Sequence, residues 1–204
     1  MRSSFLFATC VLSAALALGS VAQAQTTQVP GEVKTGAYVI DPGHTKVTWS
    51  LTHFGFSTYV GQFSAVSGTL KLDPKALAAT ELQVSINTAS VGTLNAALDN
   101  HLKSADFLDV AKFPTATFKS TSVKATGERT ADVTGDFTLH GVTKPVTLQV
   151  TFVQAGVNPL DKKYSLGFQG RAVIKRSDFG VKAYVPAVGD EVTLQIDTEP
   201  KAAS

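Results

Sequence analysis

Cysteine is nearly absent from this sequence. The single Cys10 lies within an apolar run, Phe5 to Gly19, that follows Arg2 and precedes Ala22-Gln23-Ala24. That pattern predicts a signal peptide over residues 1–24, cut after a small-x-small site. A lipoprotein leader would carry its cysteine just after the run, behind a small residue. Cys10 instead follows Thr9 in mid-run, so no lipid anchor is expected. The exported chain then has neither thiol nor disulfide, although the compartment it enters is oxidising. Stapling is not needed, because about 180 residues bury roughly 70% of their unfolded surface on folding. The expected location is the periplasm or the cell exterior.

Other absences remove whole classes of function. No second apolar run of about 18 residues follows the leader, so no transmembrane segment is expected. Without Arg2, 17 basic residues stand against 16 acidic ones, interleaved and never in a block of five. That excludes a nucleic-acid footprint and an electrostatic membrane anchor. The four histidines, His44, His53, His101 and His140, occupy no H-x-H or H-E-x-x-H setting, so neither metal nor cofactor is expected. Gly55-Phe56-Ser57-Thr58-Tyr59 lacks the second glycine of a nucleophile elbow, and Asp178-Phe179-Gly180 stands without the loops that give a kinase triplet its meaning.

What is present is alternation. Val47, Trp49, Leu51 and His53 share one face of a strand beginning near Thr45, with Lys46, Thr48, Ser50 and Thr52 on the other. Phe63, Val66, Leu70 and Leu72 form a second, whose change of parity predicts a bulge at Ser64–Ala65. Leu82, Val84 and Ile86 mark a third, and Thr115–Lys124 a fourth. Phe137 to Val150 reads as a hairpin with its corner at His140-Gly141, and Pro145 in its second strand requires an edge or a strand start. Two further strands carry Phe168 to Arg176 and Val192 to Ile196. One stretch breaks the rhythm. In Val91–Ser120, Leu94, Ala97, Leu98, His101, Leu102 and Ala105 recur at helical steps, with Thr93 as the expected N-cap and Phe113-Pro114 returning the chain to extended geometry.

Eight strands joined by short turns favour antiparallel neighbours, and closure removes their edges. The expected fold is all-β, an eight-stranded antiparallel lipocalin-like β-barrel with one short helical insertion over the barrel end. A β-sandwich is the competing architecture, and an ordinary crossover is the competing reading of the insertion. The polar residues 25–35 are expected to be a flexible lead-in, 36–199 the barrel, and 200–204 a tail.

Several motifs in this order resemble the YceI-like lipid/polyisoprenoid-binding family. They are Tyr38-x-Ile40-Asp41-x-x-His44-Thr45, His53-x-Gly55-x-Ser57 through Gly61-x-Phe63, and Asn100-His101-Leu102-Lys103-Ser104-Ala105-Asp106-Phe107-Leu108-Asp109 with Phe113-Pro114. Gly135-Asp136-Phe137 through Lys144-Pro145-Val146, Arg176-Ser177-Asp178-Phe179-Gly180 and Val188-Gly189-Asp190-Glu191 complete the set. Trp49 departs from it, since Phe or another apolar residue is more usual there. The resemblance implies secreted or periplasmic barrels whose lumen takes a long-chain amphiphilic lipid, such as a polyisoprenoid, an isoprenoid quinone or a fatty-acyl compound.

Residues expected to meet such a ligand are mostly those on inward parities. Trp49, Leu51, Phe63, Phe118, Phe137 and Leu139 come from the first five strands. Phe152, Phe168 and Ile174 follow, while His53, His101, Leu102 and Phe107 belong at the covered end. Arg176 falls inward there too. A buried guanidinium has to be paired, either with a carboxylate such as Asp41, Asp178 or Asp190 or with a polar ligand head. The expected function is binding, carriage or sequestration without catalysis. The alternative is a hydrolase or isomerase acting on an isoprenoid-type lipid, which requires His53, His101 or Arg176 to converge. Recognition of another protein through the outer face is a third reading, though the Thr- and Lys-rich outward parities offer it no apolar patch. A homodimer is left open.

Overall fold

The computed structural model describes residues 26–203, so the expected signal peptide lies outside the described residues. Among the described residues thirteen strands and one α-helix follow in order. They are β1 (Thr26–Thr27), β2 (Gly36–Ile40), β3 (Lys46–His53), β4 (Ser57–Phe63), β5 (Val66–Leu72), β6 (Glu81–Asn87) and β7 (Val91–Gly92), then α1 (Ala96–Lys103). After the helix come β8 (Thr115–Ala125), β9 (Thr130–Leu139), β10 (Val142–Val157), β11 (Tyr164–Lys175), β12 (Glu191–Thr198) and β13 (Pro200–Ala202).

These segments make eight staves of a closed antiparallel barrel, because three staves are interrupted: β2 continues as β3, β4 as β5, and β12 as β13. Each stave pairs with the one before it. The last returns to the first through Leu194↔Trp49 and Pro200↔Ile40, which rules out two stacked sheets. A meander of local connections closes on itself, as the alternating pattern required, with β10 before Gln149 and β4 before Gln62 paired on one side only.

The interruptions correct the sequence reading in detail. Instead of a bulge at Ser64–Ala65, the ladder breaks there, and β4 pairs with β3 while β5 pairs with β2 and β6. The first stave starts at Gly36 rather than near Thr45, and His44 lies in the turn between β2 and β3. A bulge does occur in β10, where Val153 and Gln154 both face outward and the register shifts. Pro145 pairs only with β9, in the stretch of β10 that β11 does not reach, so its missing N–H costs no ladder bond. The lead-in is not loose: β1 pairs with Ala155 and Gly156 of β10, and Val33 is buried. Nor are residues 200–203 merely a tail, since β13 completes the closing stave.

Four connections gather at one end: Phe54-Gly55-Phe56, the helical insertion, His140-Gly141, and residues 176–190. Helix α1 covers this end, as its pattern predicted, but its N-cap is Asn95, whose side chain accepts from the N–H groups of Ala97 and Leu98. Thr93 instead donates its hydroxyl and backbone N–H to Asp99. Leu94, with φ 63°, is fully exposed ahead of the helix, and Ala105 lies beyond it. The far end is packed by Val33, Tyr38, Leu72, Phe152, Ala155 and Leu166. There Lys201 bridges Asp41 at 2.6 Å and Asp161 at 2.7 Å. Burial pushes the Tyr38 phenol up to about 12, with a smaller contribution from Tyr164.

Candidate functional site: an apolar lumen

The barrel is hollow. Its lumen has a volume of about 500 Å³ and is lined almost wholly by apolar side chains. That lies within the roughly 300–1,000 Å³ typical of small-molecule sites. Glycine explains part of the space. A β-carbon on Gly61 would come within 2.2 Å of the Trp49 ring, and one on Gly135 within 2.5 Å of the Phe118 ring. Both large aromatics therefore lie flat across a bare strand and leave the axis clear. Gly170 also faces the lumen without filling it.

Most residues singled out from the sequence line this space. Trp49, Leu51, Phe63, Phe118, Phe137 and Leu139 do so from the early staves, and Phe168 and Ile174 from β11. His53, His101, Leu102, Phe107 and Arg176 line its covered end. Phe152 does not. It faces inward as its parity predicted, yet it lies below the lumen in the packed far end, its ring 5.6 Å from that of Phe168. Alternation gives the side of a strand but not the height along the barrel.

Arg176 also departs from expectation. It is buried, in the 3₁₀ turn that follows β11, and its guanidinium donates to three backbone carbonyls: Gly189 through Nε at 2.9 Å, Val181 at 3.0 Å and Val188 at 2.8 Å. Neither a carboxylate nor a ligand head is needed to satisfy it. Burial lowers its pKa, which the nearby Asp190 partly opposes. Asp190 accepts from the Ser177 N–H and hydroxyl. Burial, the largest single influence, would raise its carboxyl, but those bonds together with the Arg176 and Lys175 charges hold it below the ordinary range. Arg176 thus fastens the 181–189 loop over the mouth.

The four histidines share no site. His44 donates from Nδ1 to Asp41 at 2.8 Å in its turn, and His140, at φ 52°, packs against Phe113 at the hairpin corner. His53 packs edge-on to Phe54 at 4.5 Å. His101 meets Asp106 at 3.1 Å and lies edge-on to Phe107 at 5.0 Å. The last two stand at the covered end of the lumen.

Sequence reasoning missed Phe54, Tyr59, Leu98, Tyr184 and Val188, all of which line the covered end. Leu98 was on the recognised helical face. Tyr184 and Val188 come from a loop without periodicity, and only an aromatic beside the Gly55 turn could have flagged Phe54.

Known proteins share this arrangement. The model for the YceI-like domain matches residues 38–200. A UPF0312 protein of Pseudomonas aeruginosa is 42% identical over 188 residues, covering 91% of this chain and 95% of the relative. The crystal structure of Burkholderia cenocepacia BcnA superposes with a TM-score of 0.71 at 27% identity, covering 78% of this chain and 98% of that one. A polyisoprenoid binding domain from Saccharophagus degradans, implicated in plant cell wall breakdown, gives a TM-score of 0.61 at 18% identity, covering 83% of this chain and 99% of that one.

Proposed function

The chain belongs to the YceI-like domain family, and we propose that it is a non-enzymatic carrier or sequestering protein for a long amphiphilic lipid, a polyisoprenoid, an isoprenoid quinone or a fatty-acyl compound, outside the cytoplasm. The observation that carries this reading is the hollow apolar lumen of about 500 Å³. Each methylene moved from water into it contributes about 0.8 kcal/mol, so one five-carbon isoprene unit contributes on the order of 3 kcal/mol. A few units reach high affinity even after ordering costs are subtracted. Chain length is then read by the depth of the lumen, and the head group by His53, His101 and their neighbours at the mouth. The Saccharophagus domain, named for polyisoprenoid binding, shares the fold and is consistent with this ligand class. The Ala22-Gln23-Ala24 leader supports an extracytoplasmic location.

The hydrolase or isomerase alternative draws less support. Arg176 is committed to three carbonyls, and among the described residues no hydrogen bond joins His53 to His101. Organic-solvent extraction of protein purified from its native host, followed by mass spectrometry, is the direct test. A recurrent apolar species at near-stoichiometric amount is expected. Repeated recovery of no lipid would sink the carrier reading.

A further inference from the structure

Two exposed aromatic tips flank the opening of the lumen. One is the β3–β4 hairpin, where Phe54 is 50% exposed and Phe56 91%. The other is Tyr184, 56% exposed. The tips are tied together, because the Phe54 N–H donates to Ala187 O and the Val188 N–H to Tyr184 O, both at 2.8 Å. Phe54 and Tyr184 also line the lumen, so each has one flank on the cavity and another in water. Both hold the left-handed backbone, at φ 51° and 59°, which bulky residues rarely adopt.

Single exposed apolar residues are ordinary, but three aromatics converging on the mouth of a greasy cavity form a patch. Its charge is low. Residues 54–60 and 181–188 contain one charged side chain, Lys182, and no acidic one. Of the three acidic groups on the nearby helical insertion, Asp99, Asp106 and Asp109, the first is engaged by Thr93 and the second by His101. The opposite rim differs: the turn between β10 and β11 exposes Leu160 among Asp161, Lys162 and Lys163.

From this we infer that the aromatic rim seats in the interface of a phospholipid bilayer, placing the lumen mouth against the membrane so that an amphiphile slides between the two without crossing water. Aromatic rings favour that boundary, and a nearly uncharged tip enters it by burial of apolar surface rather than by attraction to anionic lipid. The continuity of Phe54 and Tyr184 with the lumen wall selects a lipid surface as the occupant. The proposal rests on the carrier reading but is tested apart from it.

The test is flotation of residues 25–204, which hold the whole barrel, with vesicles of phosphatidylethanolamine and phosphatidylglycerol. The parent is expected to float, and to keep floating at high salt. Phe56→Ser, which removes an exposed ring and so leaves folding intact, should lower vesicle partition at least about tenfold. Leu160→Ser, equally exposed at the far end, should change nothing. A parent that does not float, release by salt, or equal loss in both variants would overturn the proposal. Sedimentation velocity adds one more overturning result, in which Phe56→Ser splits a dimer without altering flotation and the tip is a contact between copies. Lipid extracted from the same samples reports on carriage separately: a lipid-loaded parent that ignores vesicles refutes the docking alone.

Discussion

Replacing Arg176 distinguishes a loop fastener from a ligand site. The side chain is only 5% exposed and gives charge-assisted bonds to Gly189, Val181 and Val188 at 2.8–3.0 Å. Arg176→Met keeps the aliphatic bulk but leaves three carbonyls without their donor. Breaking a buried charged network of this kind costs about 3–5 kcal/mol. For a domain of this size each kcal/mol moves Tm by about 2–4 °C, so a fall of roughly 6–20 °C is expected. Arg176→Lys retains the charge but not the fork, and should fall between parent and Met variant. Because a guanidinium stays protonated at ordinary pH, the loss should be the same at mildly acid and mildly alkaline pH. Calorimetry gives Tm, and extraction with mass spectrometry gives lipid occupancy. The reasoning fails if Tm holds while occupancy collapses, because Arg176 would then be holding the ligand head rather than the loop.

Trp49 is the single tryptophan, so Gly61→Ala has a built-in reporter. With 2.2 Å between the new carbon and the ring, the indole has to move into the lumen. A cost of about 1–3 kcal/mol, shifted emission and lower lipid occupancy should follow; unchanged emission would contradict the packing. At the far end, hydrogen bonds from Lys201 first and His44 second hold the Asp41 carboxyl below its ordinary range. A depressed carboxylate contributes stability that is full above its unfolded value, near about 4, and is lost as pH falls below it. Urea midpoints should therefore drop with acid below about pH 4, and Lys201→Met should blunt that slope; identical slopes would refute the assignment. Finally, Phe137 is 8% exposed and faces the lumen, whereas Thr138 faces outward and bonds Thr143 across the hairpin. Phe137→Asp should abolish folding or lipid uptake, with Thr138→Asp mild on both counts, and equal behaviour in the two would disprove the face assignment.

The sequence by itself determined which residues face inward, because a strand's period of two sorts side chains without reference to their neighbours. That sufficed for the eight staves, for the hairpin cornered at His140-Gly141, and for the one helical insertion at the barrel end. It placed Trp49, Phe118, Phe137 and Ile174 on the lumen wall. Only the tertiary structure decided where along the axis each inward residue lies, so Phe152 fell into the packed floor although its parity was right. Partners distant in the chain were likewise invisible: Arg176 met carbonyls of a loop without periodicity, and β1 and β13 found strands far away in the chain. The hollow itself was also a tertiary matter, since it depends on which glycine lies beneath which ring, and that is set by the register between strands rather than by the composition of either.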